Sequence, residues 1–402
     1  MGNFFTGERF GKPQFFAGFL LLLFIAQCVW LVGRETAAVV SPEEYGRVEE
    51  GLAQWHGNLI AGTPQGLPAA VESVRMRGDA YDPEHSPLWY LIETAPLAAF
   101  RVSPDSRLWL WMSRAPYVLI GILLGASLWY VARRLYGNAG GYVALALYCF
   151  SPAVLRSSCL WFSTPNVAGA WGTFGAVFTA IAVAHTLYAP REVVLWNWRR
   201  IVLLGVSLFV ALGSHFGLVI VLPILLAYML YLAPERRGAA CAILAAALGI
   251  CAFLTLASYF FHGTLFWHGL RNATWVEAYG RAFAMPGAYL QIAQEMMAAG
   301  PALVVLIPAA LVAYAAWRRT RYFGNTAVLV LAVLFTVMRI ASPHEAESVF
   351  TLLAVLFFFV FIAGIAADLL ETKAREMVNA VAVGVITANA VWDLIALAQL
   401  GH

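Results

Sequence analysis

The chain has 402 residues, of which 61% are apolar and 12% charged, and its mean hydropathy is +0.75. A soluble protein is about 45–50% apolar and about 25% charged, so this composition excludes a soluble enzyme. An aromatic content of 14% excludes a disordered chain, and a net charge of only +3, spread along the sequence, is too small to indicate nucleic-acid binding. The five cysteines form no Cys-x-x-Cys pair, which excludes a thiolate metal site.

Apolar runs recur along the whole chain, and a membrane-spanning helix needs roughly 20 mostly apolar residues. The first run, Phe15–Val32, follows a short basic head without a small-residue cleavage site, so we interpret it as an anchor rather than a removed signal. The others lie near 108–132, 140–152, 166–188, 201–214, 216–232, 238–260, 301–317, 325–338, 347–367 and 377–399. The sequence therefore predicts an all-α polytopic membrane protein with about 11 transmembrane helices.

The distribution of charge predicts the orientation. If the amino terminus is cytoplasmic and the chain crosses alternately, the short cytoplasmic turns collect 14 of the 25 Lys and Arg residues. The opposite side carries 15 of the 22 Asp and Glu residues. Because basic residues concentrate in cytoplasmic loops, we expect an integral protein of the bacterial inner membrane with its large loops outside the cytoplasm.

Two predicted extracytoplasmic segments, 34–107 and 261–300, are far longer than connectors. Long loops in compact proteins are usually functional, so we expect the function to reside on the outer face. The first of them is predicted to be partly helical. We expect a single membrane domain over residues 1–402, with no separate soluble domain.

The first loop opens with an acidic turn that has two interpretations. Ser41 is a favourable N-cap, Pro42 suits the first helical position, and Glu43 and Glu44 complement the positive end of the helix dipole. These acids therefore fit an ordinary surface helix. A carboxylate held beside the membrane can also lose hydration, which brings its pKa toward the range of a general base.

Other polar residues are ambiguous in the same way. His85 lies between two prolines before an apolar run, where histidine is commonly a structural hydrogen-bonding group. Four arginines lie near the outer ends of apolar runs, where they could snorkel to the interface or hold a phosphate by paired hydrogen bonds: Arg114, Arg156, Arg271 and Arg339. Arg114 stands inside the second apolar run, and charges within spans often face a cavity.

Several nucleotide- and metal-binding motifs are absent from the sequence. It contains no GxxxxGK[ST] loop, no GxGxxG after a strand, no HExxH and no Asp-x-Asp pair. These absences disfavour an ATP-driven pump and an enzyme that uses a nucleotide sugar directly.

The pattern resembles the polytopic lipid-linked glycosyltransferases of the GT-C class, particularly the protein O-mannosyltransferase and aminoarabinose transferase group. That family begins its first outer loop with an acidic pair, a Tyr and a later Gly, which Glu43–Tyr45 and Gly57 match with Glu in place of the commoner Asp. It then has a His-or-Lys-Pro-Pro-Leu element opening an outer helix, matched by His85–Tyr90 with Ser86 in place of the first Pro.

Further matches follow along the chain. The family has an Arg in its second span, an Arg-rich turn with Gly, and a Ser-Pro hairpin, which correspond to Arg114, Ala132–Gly137 and Ser151-Pro152. Arg339 and Pro343–Glu345 resemble the late outer loop that closes over the lipid phosphate.

One departure concerns the second acid that the family places at the head of the fourth span. This sequence has Ser163–Asn166 there, so the Asn166 amide replaces a carboxylate. The resemblance therefore does not support a divalent cation held by two acids, and no metal ligand or certain cofactor is predicted.

The resemblance implies an inverting glycosyltransferase that moves a sugar from a polyprenyl-phosphate donor to an acceptor hydroxyl on the outer face. Glu43 is the first choice for general base and Glu44 the second, with His85 orienting the acid or contacting the acceptor. The leaving phosphate would be held by the residues Arg114, Arg156, Arg271, Arg339 and His344. The expected partners are the lipid-linked sugar, membrane lipid and an acceptor.

Two other functions stay open. A non-catalytic GT-C-fold subunit that associates with partner membrane subunits would explain Asn166. A transporter or flippase of lipid-linked sugars would be expected to show an internal inverted repeat, and no convincing repeat relates the two halves of the sequence.

Overall fold

The computed structural model describes residues 12–35, 42–56, 85–102, 106–159, 166–188, 198–276, 278–342 and 349–400. In chain order its α-helices are α1 Lys12–Glu35, α2 Pro42–Trp55, α3 Pro87–Phe100, α4 Arg107–Cys149, α5 Pro152–Cys159, α6 Asn166–Thr186, α7 Trp198–Ser214, α8 Val221–Leu232, α9 Arg237–Ser258, α10 Gly263–Asn272, α11 Pro286–Ala299, α12 Pro301–Ala316, α13 Phe323–Ala341, α14 Val349–Leu370 and α15 Arg375–Leu400. Short 3-10 helices lie at Phe216–Ile220, Pro234–Arg236, Gly280–Ala284 and Arg318–Thr320. These residues contain no strand, so the prediction of an all-α protein is confirmed.

Seven helices in the described part of the chain are long and apolar enough to cross a membrane, or eight if the bent pair α11–α12 forms one span. They are Gln14–Arg34, Leu108–Cys149, Asn166–Thr186, Pro234–Ser258, Phe323–Ala341, Val349–Leu370 and Arg375–Ala398. The predicted count of about 11 is therefore not confirmed. Two predicted runs, 201–214 and 216–232, fall in helices shorter than the others, and 108–132 and 140–152 share the helical run α4.

The long run α4 changes direction at Gly137. This residue has φ 75° and ψ −171°, outside the helical region and accessible mainly to glycine. The break coincides with the turn predicted from the paired arginines at 133 and 134. It explains how one 43-residue run accommodates two predicted apolar segments.

The chain divides into two compact units. Unit 1 comprises Met1–Ala37, Val118–Trp161 and Ala278–His402, and unit 2 comprises Ala38–Tyr117 and Phe162–Glu277. The boundary falls within α4. The single membrane domain expected over 1–402 stays a prediction.

Unit 2 is built by close helix packing through small residues. A Cβ on Gly172 of α6 would collide with the backbone nitrogen of Ala211 in α7, and one on Gly205 of α7 would lie 2.7 Å from Cβ of Ile250 in α9. Such positions let helix backbones approach closely, as in membrane helix interfaces. The structure therefore places α7 between α6 and α9.

Unit 1 is organised around α14, whose side chains from Val349 to Ile365 are buried except that of Thr351. The Phe335 ring of α13 stacks on Phe357 of α14 at a centroid distance of 5.7 Å. Helices α11 and α12 meet at Gly300 with a bend of 109°. Unit 1 thus contains a broken apolar helix pair beside a helix that is buried over most of its length.

Candidate functional site

The acidic turn lies at the start of a helix, as predicted. Helix α2 begins at Pro42, so Glu43 and Glu44 occupy its first turn, although their side chains lie outside the described residues. Helix α2 packs tightly on α3, because a Cβ on Gly51 would lie 2.6 Å from the carbonyl oxygen of Tyr90. The helix that carries both acids is therefore packed against α3.

A small apolar core joins these two helices to the beginning of α4. It contains Val48 of α2, Leu97 of α3, and Trp109 and Leu110 of α4, all at most 6% exposed. The packing of α2, α3 and the first turns of α4 therefore defines the acid-bearing corner of unit 2.

His85 is fixed by the cap of α3. Ser86 is the N-cap, and its Oγ accepts a hydrogen bond from the Leu88 nitrogen at 3.2 Å while Pro87 occupies the first helical position. The same hydroxyl donates to the Gly213 carbonyl at 2.9 Å, and the Ser86 nitrogen donates to that carbonyl at 3.0 Å. These bonds tie the start of α3 to the end of α7 and bury His85, which is 7% exposed.

The His85 imidazole lies in an aromatic cluster. Its ring centroid is 5.3 Å from Trp89 and 5.7 Å from His215, and the His215 contact is edge to face at 84°. Trp89 in turn contacts Tyr117 of α4 at 5.7 Å. His215 Nδ1 accepts a hydrogen bond from the Gly217 nitrogen at 3.0 Å, so a neutral His215 carries its hydrogen on Nε2.

Two oppositely charged residues are buried in this part of unit 2. Arg114 of α4 is 5% exposed and lies one helical turn before Tyr117, whereas Glu93 of α3 is fully buried one turn after Trp89. Burial of formal charges is costly unless they are compensated. The Trp89–Tyr117 contact links the two helices that carry them.

The remaining predicted arginine of unit 2 is in a different environment. Arg271 lies in the last turn of α10 and is exposed. The segment after α10 folds back through Trp275, whose Nε1 donates to the Leu270 carbonyl at 3.2 Å and whose ring contacts Phe216 at 5.2 Å.

In unit 1, buried Arg339 forms an ion pair with Glu295, whose side chain is 19% exposed. Its guanidinium, 2% exposed, donates from Nε to both carboxylate oxygens of Glu295 at 3.0 and 3.2 Å, and Nη2 contacts the same carboxylate. Nη1 donates to the Ser342 carbonyl, and Thr351 donates to Glu295. The pair therefore connects α11, α13 and α14.

Two other residues predicted to bind phosphate also belong to unit 1. Arg156 of α5 is half-buried, and its Nε is buried without a hydrogen-bond partner among the described residues. His344 lies outside the described residues. Thus Glu43, Glu44, His85, Arg114 and Arg271 belong to unit 2, whereas Arg156, Arg339 and His344 belong to unit 1.

Sequence reasoning missed His215, Glu93 and Glu295 as parts of these arrangements. Glu93 interrupts an apolar segment, and His215 follows Gly213-Ser214 at a break between apolar runs. These positions were the only local indication that either residue belongs to a polar site. No local signal identified Glu295 as the partner of Arg339, because 44 residues separate the two in the sequence.

Asn166 begins α6 and is buried at 5% exposure. Among the residues with described side chains, no three His, Cys, Asp or Glu groups converge as metal ligands. The expectation that no metal is held by paired acids therefore stays a prediction.

Comparison with known proteins identifies the fold. No family model and no curated protein matches the sequence. Among solved structures, the archaeal oligosaccharyltransferase AglB from Archaeoglobus fulgidus, in complex with an inhibitory peptide and a dolichol-phosphate, matches 96% of this chain at TM-score 0.57 and 12% identity. ArnT from Cupriavidus metallidurans matches 89% in the apo state and 94% bound to undecaprenyl phosphate, at TM-scores 0.59 and 0.58 and 16% identity.

Both neighbours are GT-C glycosyltransferases, so the chain has the GT-C fold and the predicted structural resemblance is confirmed. The chain spans 56% of the AglB chain and 60–71% of the ArnT chains.

Proposed function

We propose that the chain is an inverting glycosyltransferase that moves a sugar from a polyprenyl-phosphate donor to an acceptor hydroxyl on the extracytoplasmic face. The observation that carries this proposal is the packing of α2, α3 and the first turns of α4 around one apolar core within a GT-C fold. Within unit 2, that packing brings together the helix that carries Glu43 and Glu44, the helix that follows His85, and the helix that carries buried Arg114.

The chemistry of the leaving group and the ligands of the neighbours support the proposed donor class. ArnT is described as bound to undecaprenyl phosphate and AglB to a dolichol-phosphate. A departing lipid phosphate develops negative charge, which preorganised guanidinium groups stabilise through charge-assisted hydrogen bonds. Arg114 is our first choice for this role and Arg271 the second, while Arg156, Arg339 and His344 stay sequence-based predictions.

The acceptor hydroxyl must lose its proton as it attacks. Glu43, or Glu44 as second choice, takes that proton while the acceptor oxygen bonds to the anomeric carbon and the bond from that carbon to the phosphate oxygen breaks. One displacement inverts the anomeric centre. His85, fixed by its cap and its neighbouring rings, orients the acid or the acceptor.

Replacement of the acids tests the assignment. General-base assistance contributes roughly 10²–10⁴-fold, so Glu43→Gln or Glu44→Gln should reduce sugar transfer by that factor while the protein unfolds at the wild-type temperature. Glu49→Gln, in the same helix, is the matched control and should retain full activity. Purified protein in nanodiscs with undecaprenyl-phosphate sugars supplies the assay, and normal rates in both test variants would refute the base assignment.

Asn166 favours one competing function, a non-catalytic subunit with the same fold. The buried Asn166 amide occupies the position at which the glycosyltransferase family that the sequence resembles has an acid. A subunit of this kind would bind membrane partners but show no transfer with any lipid-linked sugar. Replacing Arg114 would then change recovery of a complex rather than turnover.

We propose the bacterial inner membrane as location, with the amino terminus in the cytoplasm. The charge distribution supports this orientation. The orientation is tested with single cysteines introduced at positions 58 and 135 and a membrane-impermeant thiol reagent added to intact cells. The cysteine at position 58 should react, and the cysteine at position 135 should not.

A further inference from the structure

Seven basic residues of unit 1 lie in three turns at the ends of apolar helices. The first turn breaks α4 at Gly137, the second joins α12 to α13, and the third joins α14 to α15. Helices α13, α14 and α15 are each long and apolar enough to cross a membrane, so the second and third turns lie where such a span would meet water. The seven residues form the basic patch, which consists of Arg133, Arg134, Arg318, Arg319, Arg321, Lys373 and Arg375.

Tyr136 brings the first turn against the helices that flank the other two. Its hydroxyl donates to the Gly324 carbonyl, at the start of α13, over 3.3 Å. A Cβ on Gly364 of α14 would lie 2.7 Å from Cζ of Tyr136, so the ring packs directly on the α14 backbone. The turn of α4 therefore lies beside both α13 and α14.

Polar contacts join the second turn to the third. Buried Asn325 donates from Nδ2 to the Thr320 carbonyl at 2.9 Å and to the Asp368 carboxylate at 3.1 Å. Arg319 forms an ion pair with Glu371 on the exposed side of the same turns. Together with the Tyr136 contacts, these bonds place the three basic turns next to one another.

The acidic residues of these turns do not balance the basic ones. Segments 133–138, 317–325 and 368–376 contain seven basic and three acidic residues, a net charge of +4. Two of the three acids are already engaged with Asn325 and Arg319. Within the part of the chain that the structure describes, four exposed basic side chains of the patch form no hydrogen bond or ion pair: Arg134, Arg318, Lys373 and Arg375.

Aromatic side chains in the same turns indicate the level of the lipid headgroups. The Arg133 guanidinium lies 5.1 Å from the ring centroid of Trp129, and that of Arg319 lies 5.9 Å from the ring centroid of Trp317. Tyr322 is 38% exposed beside them. Because Trp and Tyr are enriched where a membrane meets water, a ligand of the basic patch lies among lipid headgroups.

Orientation in the membrane favours basic residues in every cytoplasmic turn, so basic turns alone do not make a site. Two described turns of unit 2 on the same predicted side carry pairs of exposed arginines, Arg199-Arg200 and Arg236-Arg237. The basic patch differs because side-chain contacts bring three turns together and leave an uncompensated positive charge at one place. That charge complements a phosphate.

We propose that the basic patch binds the phosphate headgroup of an anionic phospholipid. Charge-assisted hydrogen bonds from the four exposed basic side chains hold the phosphate, and the surrounding aromatic rings lie against the lipid. In the proposed orientation this lipid belongs to the cytoplasmic leaflet. The site contains none of the residues proposed for sugar transfer, so the two proposals are independent.

Native mass spectrometry of the full-length protein in a neutral detergent tests the site. Titration with dioleoylphosphatidylglycerol and with dioleoylphosphatidylcholine gives the affinity for the first bound lipid of each kind, and we expect tighter binding of the anionic lipid. Each Lys or Arg near an anionic lipid strengthens binding about 5-fold, so loss of four should weaken phosphatidylglycerol binding by at least about 10-fold. Phosphatidylcholine binding and the unfolding temperature should not change, because the replaced side chains are exposed. The patch variant combines Arg134→Gln, Arg318→Gln, Lys373→Gln and Arg375→Gln.

A matched variant of unit 2 separates a site from general charge attraction. It removes the same number of exposed basic side chains on the same predicted side and should keep the wild-type affinity for phosphatidylglycerol. Equal weakening by the two variants, or equal affinity of the wild-type protein for the two lipids, would overturn the proposal. Glycerol phosphate at the concentration of the lipid should not displace it, and displacement would indicate a soluble phosphate ligand and overturn the assignment to a lipid. The matched variant combines Arg199→Gln, Arg200→Gln, Arg236→Gln and Arg237→Gln.

Discussion

Replacing Glu295 by glutamine removes the charge that balances Arg339 without changing the size of the side chain. In the native protein the guanidinium is 2% exposed and reaches Glu295 through Nε and Nη2, while Nη1 binds the Ser342 carbonyl. The substitution leaves one acceptor oxygen and turns an amide donor toward a buried cation. Loss of one partner of a buried pair costs about 3–5 kcal/mol, and we expect a loss of stability in that range.

A double-mutant cycle separates the pair from the rest of the packing. Arg339→Met alone leaves Glu295 without its cation and should also destabilise the protein by about 3–5 kcal/mol. The double variant replaces the pair with a neutral amide and an apolar chain, so its loss should be much smaller than the sum of the two single losses. Thr351→Val removes a hydrogen bond to a charged acceptor and should cost about 1.5–3 kcal/mol.

Reversible unfolding in mixed micelles provides the free energies, and binding of undecaprenyl phosphate provides an independent functional measurement. A structural pair predicts that Glu295→Gln lowers stability and leaves lipid-phosphate affinity unchanged. A loss below about 1 kcal/mol, the range of exposed pairs, together with tighter lipid-phosphate binding, would refute this reasoning. Arg339 would then be a ligand group that Glu295 restrains.

Three further changes have defined outcomes. Ser86→Ala removes the cap of α3 and the bond to Gly213, so thermal unfolding should show a loss of about 0.5–2 kcal/mol. Chelation of divalent cations should leave the proposed transfer rate unchanged, because Asn166 replaces the second acid; loss of activity restored by Mg²⁺ or Mn²⁺ would contradict this. Burial, then the charges of Asp368 and Glu371, raises the pKa of Tyr322 to about 12. Since the unfolded chain releases this proton first, stability should fall from about pH 10 to about pH 12, and Tyr322→Phe should reduce that fall in alkaline unfolding curves.

Local sequence signals predicted the elements that depend on neighbouring residues. Pro42 and the following acids predicted the start of α2, and the match of His85–Tyr90 to a helix-opening element predicted the start of α3; α2 begins at Pro42 and α3 at Pro87. The Arg-rich turn between the apolar runs 108–132 and 140–152 predicted a break, which the structure places at Gly137 in α4. These features were readable because caps, prolines and glycines act on the backbone within one or two turns.

Hydropathy was less informative about the number of spans. An apolar run indicates that a segment is stable in an apolar environment. It does not indicate whether two neighbouring runs belong to one helix, or whether a helix bends. The structure instead has a break of 109° at Gly300 and two short helices, α7 and α8. The count of about 11 could therefore not be fixed from composition alone.

The sequence by itself determined that this chain is an all-α membrane protein, because 61% apolar residues in long runs require helices whose backbone bonds are satisfied internally. It also determined which acids and arginines were candidates. Only the tertiary structure decided the partners: Glu295 for Arg339, His215 for His85, and no described donor for Asp393. These relations join residues distant in sequence, and charge and hydrogen bonding act through distances in space that local patterns do not encode.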